Sequence, residues 1–196
     1  NPSVGLRIIE IGAGTGGTTA SILRKLKPYR NNIEEYCYTD LSKAFLFHAE
    51  EHYRPGHPFL CTKIFDVEKA LGPQEIAAGQ YDYVIATNVL HATRDIRRTL
   101  HNVKAALRTN GLLLLNEISG KFLLSQVTFG LLKGWWLSED ESIRIPGSPG
   151  LYPDSWNRVL KEVGFETVFF PAEASHVLGQ QIILAESNGI VRQEAL

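Results

Sequence analysis

Apolar residues recur along this chain with two periods. Short runs rich in Ile, Val, Leu, Tyr and Phe alternate with longer stretches in which apolar side chains return at helical spacing, the pattern of strands joined by crossover helices. The runs predict strands over residues 6–11, 35–39, 60–65, 81–87, 112–116, 166–170 and 181–186, and helices over 18–26, 43–52, 68–78, 96–107 and 155–163. Gly111 after Asn110 reads as a helix C-cap, and Pro153-Asp154-Ser155 as a helix start. Residues 171–178 between the last two strands suit a hairpin better than a crossover, so one strand runs against an otherwise parallel sheet. The expected fold is α/β, with seven mostly parallel strands.

Residues 120–152 break the rhythm. A helix-like apolar part, 122–132, leads to Gly134-Trp135-Trp136 and then to an acidic loop rich in Pro and Gly. This insertion after the fifth strand is expected over the carboxyl edge of the sheet, where open α/β sheets form ligand sites. Trp135 and Trp136 either wall a substrate pocket there or fill core space. Residues 187–196 resemble the stub of a linker.

Composition narrows the function classes. The 196 residues are 44% hydrophobic and 21% charged, ordinary for one globular domain. Lys and Arg number 20 against 21 Asp and Glu, which leaves no cationic surplus for gripping nucleic acid or an anionic membrane. No apolar run approaches the roughly 20 residues of a membrane span, and no signal peptide opens the chain, so a cytoplasmic location is expected. Cys37 and Cys61 lack metal-site spacing and read as core thiols; no metal is expected. His48 and His52, four apart on a helix, find no further ligand in the sequence and read as a solvated face. The sequence contains no Met and starts at Asn, as a single domain over 1–196 cut from a longer polypeptide would.

The strongest local signal is Glu10-Ile-Gly-Ala-Gly-Thr-Gly-Gly, which follows a strand and opens a helix. Glycines there make a tight turn and let a ligand lie against the backbone at the positive helix end. Gly12, Gly14 and Gly17 satisfy the dinucleotide pattern G-x-G-x-x-G; Gly12, Gly14 and Gly16 satisfy G-x-G-x-G. The acid at Glu10 favours a ligand with a cationic amine, such as S-adenosyl-L-methionine, over a pyrophosphate. Asp40, ending the second strand, is placed to accept from both ribose hydroxyls, and Asp66, after the third, from an adenine amino group. Each Asp also suits a cap or turn role.

With these residues the chain resembles class I methyltransferases that use S-adenosyl-L-methionine, and among them the C-methyltransferase domains of polyketide synthases. The resemblance spans nearly the whole chain. It rests on the glycine turn, on Asn88-Val89-Leu90-His91-Ala92-Thr93 after the fourth strand, on Asn110-Gly111 through Asn116-Glu117, and on Gly134-Trp135-Trp136. It implies a Rossmann-like sheet and a cofactor pocket with Leu41, Val67 and Asn88 beside Glu10, Gly12, Gly14, Gly16, Asp40 and Asp66. Similar domains carry a lid ahead of the glycine turn, which this sequence does not include.

Methyl transfer to carbon needs a carbanion or enolate, hence a base. His91 follows the fourth strand and Glu117 ends the fifth, so adjacent strands bring both to one edge, and the family's catalytic His and Glu match these positions. The implied reaction is methylation of the α-carbon of a β-ketoacyl thioester on an acyl carrier protein, with neighbouring synthase domains in the same polypeptide. O- or N-methylation of a small molecule, or a non-catalytic scaffold domain, are the rival readings.

Overall fold

The computed structural model describes residues 5–191, with Lys133 as backbone only. Its strands are β1 (Leu6–Ile11), β2 (Ile33–Asp40), β3 (Leu60–Ile64), β4 (Tyr81–Thr87), β5 (Leu107–Ile118), β6 (Phe165–Phe169) and β7 (Gln180–Ser187). They form one sheet in the order β3-β2-β1-β4-β5-β7-β6. Neighbours from β3 to β5 pair in parallel, whereas β7 runs antiparallel to both β5 and β6. The expected strands and the single reversed one are all present.

The helices are α1 (Gly17–Leu26), α2 (Lys43–His52), α3 (Ile96–Ala106), α4 (Leu123–Thr128) and α5 (Pro153–Val163). Apolar residues at i, i+3, i+4 and i+7 set the packing of α3 and α5: Ile96, Leu100 and Val103 with Trp156, Val159 and Leu160 are buried in a core that includes Ala86, Leu113, Leu115 and Ile183. Leu23 of α1 and Leu46 of α2 join Tyr36, Tyr38 and Leu60 in a second core. Beyond α1, Tyr83, Ile85, Leu114 and Ile182 line a groove of about 730 Å³ together with Ile22 and Leu26.

Four sequence expectations are corrected. Residues 68–78 form no α-helix, only a 3₁₀ turn at Gly72–Gln74. Pro73 lacks the donor that a helix needs and its ring clashes with the preceding turn. Val67, Leu71 and Ile76 still reach the core, because Gln74 ties the loop by accepting from the Asp66 N–H (2.7 Å) and donating to Ala70 O (2.9 Å). Gly111 is no C-cap either: α3 ends at Ala106, Leu107 pairs with Tyr81 and Leu112 with Tyr83, so residues 108–111 loop out of β5 with Asn110 in the left-handed region (φ 60°). In the insertion the α-helix covers only Leu123–Thr128, continuing as 3₁₀ turns at Phe129–Leu131 and Lys133–Trp136, because its apolar residues face outward rather than onto a core. The predicted linker stub begins inside the fold, where Ser187 is buried at the end of β7; residues 192–196 lie outside the described part.

Candidate active site at the carboxyl edge

The strand order reverses between β1 and β4, and the turns after these two strands lie side by side. After Ile11 the chain passes through Gly12, Gly14 and Gly16 at φ 60°, 59° and 80°, and Gly17 is the first helical residue without a positive φ. The conformational demand therefore falls on the G-x-G-x-G set. A Cβ on Gly12 would lie 2.6 Å from the Val89 side chain of the neighbouring turn, whereas one on Gly14 would meet only Gly12 O at 4.0 Å. The backbone at Gly14 is thus open on the side a Cβ would occupy, a cradle in the turn.

Several groups hold this turn. The Ala13 N–H donates to Thr39 O (2.9 Å) and the Gly14 N–H to Asp40 Oδ2 (3.0 Å). The Tyr38 hydroxyl donates to Gly14 O and the Tyr53 hydroxyl to Gly16 O (3.1 Å). Sequence reasoning missed both tyrosines; for Tyr38 a sign existed in its alternation with Tyr36 along β2, which puts the two rings on one face. Asp40 Oδ1 also accepts from the Ser42 N–H (2.8 Å), and each carboxylate oxygen keeps a second lone pair for a ligand hydroxyl.

Glu10 is 1% exposed, and its Oε2 accepts from the hydroxyls of Thr19 (2.6 Å) and Tyr36 (2.5 Å). Burial pushes its carboxyl above the usual range. Asp66 serves a turn: Oδ1 accepts from the Glu68 N–H (3.1 Å) and Oδ2 pairs with Lys69 (2.9 Å). Val67 is packed in the core, Leu41 is 65% exposed beside Asp40, and Asn88 sits at φ 54° with its N–H donating to Asn116 O (2.7 Å).

The turn after β4 carries His91 in a single 3₁₀ turn, Leu90–Ala92. Its Nδ1 is hydrogen-bonded to Oε2 of Glu117, which is fully buried. Glu117 Oε1 accepts from the N–H groups of Leu90 (2.9 Å) and Val89 (3.3 Å), so one carboxylate fixes both the ring and its turn. A carboxylate on Nδ1 selects the tautomer with the proton there and leaves Nε2 as an acceptor. Among the described residues, none hydrogen-bonds to Nε2. Trp135 stands edge-on to the imidazole (centroids 5.8 Å, 75°) and stacks on Phe129 (6.0 Å, 16°). Trp136 does not share that wall; it is 56% exposed, with Nε1 donating to Gly130 O (2.8 Å).

The remaining candidates lie elsewhere. His48 and His52 stack on each other at 4.1 Å, and His52 Nδ1 contacts His48 O. Pairing of β2 with β3 sets Cys37 against Cys61, and with Glu35 their donor atoms lie within 4.8 Å of one another, a grouping the spacing did not announce. Both Glu35 oxygens are already hydrogen-bonded, to Arg7 (2.7 Å) and Tyr81 (2.9 Å).

Comparison with known proteins bears on the family and the fold. Residues 9–113 match the profile of the methyltransferase domain family. Polyketide synthase PksM of Bacillus subtilis (strain 168) is 60% identical over 193 residues, which cover 98% of this chain and 4% of the synthase. The crystal structure of the DszA carbon methyltransferase superposes with a TM-score of 0.91 at 38% identity, covering 98% of this chain and 50% of that one. The trans-methyltransferase CalH, in complex with SAH, gives a TM-score of 0.81 at 37% identity over 93% of this chain and 51% of that one. The chain thus spans a small part of the curated synthases and about half of these solved chains. A G-x-G-x-G cradle at the switch point, backed by these likenesses, makes the chain a member of the methyltransferase domain family: a class I, S-adenosyl-L-methionine-dependent domain of the carbon-methyltransferase kind found in polyketide synthases.

Proposed function

We propose that this chain methylates the α-carbon of a β-ketoacyl thioester carried on an acyl carrier protein, as one domain of a longer synthase, with His91 as base and Glu117 as its partner. The observation that carries the reading is the buried His91–Glu117 pair on the edge that also bears the glycine cradle. Two flanking carbonyls acidify the substrate carbon, so an imidazole suffices as base. His91 Nε2 takes the α-proton, and the Glu117 carboxylate holds the ring and stabilises the imidazolium that forms. Trp135 stands edge-on against the ring and gives it an apolar neighbour.

S-adenosyl-L-methionine supplies an electrophilic methyl group when bound. In this reading Gly12, Gly14 and Gly16 seat it, Asp40 accepts from its ribose hydroxyls, and Leu41, Asp66, Val67 and Asn88 border its adenosine. Glu10 supplies a countercharge to its cationic amine, with Oε2 already accepting from the hydroxyls of Thr19 and Tyr36.

The test follows a β-ketoacyl thioester in deuterated water, reading α-proton exchange without cofactor and the site of methyl gain with it. The parent protein is expected to exchange and to add one methyl to carbon. His91→Ala should lose both while binding the cofactor normally, and Glu117→Gln should slow both. Methyl gain on oxygen or nitrogen, or parent-rate exchange by His91→Ala, would overturn the proposal.

A further inference from the structure

Arg144 lies in the acidic loop of the insertion, far from His91 in sequence, yet its side chain is 2% exposed and it grips the catalytic turn. Its Nη1 donates to His91 O (2.8 Å) and Pro149 O (2.8 Å), and its Nη2 to Thr93 O (3.1 Å). Asp140 holds the other side of the guanidinium, through Nε to Oδ1 (2.6 Å) and Nη2 to Oδ2 (3.1 Å). Asp140 Oδ2 also accepts from the N–H of Ile96, the first residue of α3. The carbonyls of a single 3₁₀ turn have few partners of their own. Arg144 satisfies them with a planar fork that a lysine cannot reproduce.

From this we infer that Arg144, oriented by Asp140, is a positioning residue for the proposed base; the inference rests on the reading of His91 given above. The turn is pinned from both ends by opposite charges. Glu117 takes the N–H groups of Val89 and Leu90 and the ring Nδ1, and Arg144 takes the carbonyls of His91 and Thr93. Glu117 alone leaves the ring free to pivot about its hydrogen bond as the main chain shifts. With the carbonyl of His91 also held, Nε2 keeps one place relative to the cofactor cradle. The same fork ties the insertion loop to that turn through Pro149, so the loop that carries Asp140 and the base move as one body.

The test compares the parent protein with Arg144→Lys, Asp140→Asn and His91→Ala, using the exchange assay above and full turnover, with every rate expressed per site counted by cofactor titration. Arg94→Gln, which removes the exposed ion pair between the residue after Thr93 and Glu139 of the insertion, serves as the control and should keep the parent rates. Arg144→Lys is expected to lower the cofactor-free exchange rate and kcat by the same factor, between about tenfold and a hundredfold, because small displacements of a reacting group cost that much. KM for the thioester and Kd for the cofactor should stay within about twofold, since Arg144 touches neither in this reading. Asp140→Asn leaves the three carbonyl bonds in place and should cause a smaller loss; it carries the test if the Lys variant does not fold. Guanidinium ion added to Arg144→Ala should restore part of kcat. Parent rates per site in Arg144→Lys, or in Asp140→Asn where the Lys variant does not fold, would overturn the inference while leaving His91 as base. Parent-rate exchange in His91→Ala would remove the base itself, and the positioning role with it.

Discussion

Asp40 joins two jobs in one carboxylate, bracing the glycine turn through the Gly14 N–H and facing the proposed ribose position. Removing it takes away a charge-assisted acceptor, so Asp40→Ala should weaken S-adenosyl-L-methionine binding by about 1.5–3 kcal/mol, which calorimetry reads directly. An affinity equal to the parent's would move the ribose elsewhere. At this scale the sequence was informative where a residue's neighbourhood is local. Glycines between a strand and a helix announce themselves, and the strand pattern places a His and a Glu at neighbouring strand ends, but the role of that pair came from the resemblance to a family. Tyr53 and Arg144 did not, because each acts on backbone groups far from it in sequence. A charged residue between Ile143 and Ile145, four after an Asp, was the one available sign that Arg144 is buried and paired.

Among the elements, β5 shows what glycine does without a positive φ. A Cβ on Gly111 would lie 2.9 Å from Arg108 O and 3.0 Å from Tyr81 O, so the looped-out residues 108–111 close onto β4 only with glycine there. Gly111→Ala is therefore expected to destabilise the fold by about 1–3 kcal/mol, the usual cost of forcing atoms into a packed site. Gly72→Ala, with open space at its Cβ, should stay within about 1 kcal/mol of the parent. Urea unfolding of the two variants distinguishes them, and equal midpoints would contradict the packing argument. Periodicity found every strand because burial on a sheet imposes alternation or continuous apolar runs. It misread residues 68–78 because Val67, Leu71 and Ile76 enter the core at near-helical spacing from a loop tied by Gln74.

Across the whole molecule, the buried Glu10 makes stability depend on pH. Its carboxyl is raised above the usual range in the folded protein, chiefly by burial, so the native state binds the proton more tightly than the unfolded chain. Its contribution is fully present below the unfolded carboxyl range and is lost as pH rises through the higher folded value. Glu10→Gln keeps an acceptor for Thr19 and Tyr36 but carries no charge. Its thermal midpoint should therefore gain on the parent's as pH rises from the acid range, and level off above the folded value. Saturating S-adenosyl-L-methionine should narrow that gap, since its amine compensates the parent's charge in the proposed site. A gap that is constant with pH would show that Glu10 does not titrate differently on folding.

What the sequence determined by itself was the number of strands and their places along the chain, the glycine turn between β1 and α1, and the arrival of His91 and Glu117 at one edge. These follow from side-chain period, turn stereochemistry and the rule that adjacent parallel strands end together. The tertiary structure alone decided which groups complete the site: the hydroxyls on Glu10, the cross-strand meeting of Cys37 with Cys61, and the Arg144 grip on the carbonyls of His91 and Thr93. Each joins residues whose separation along the chain carries no periodic signal. A long side chain finds a carbonyl only after strand register and the loop's path have fixed where both lie.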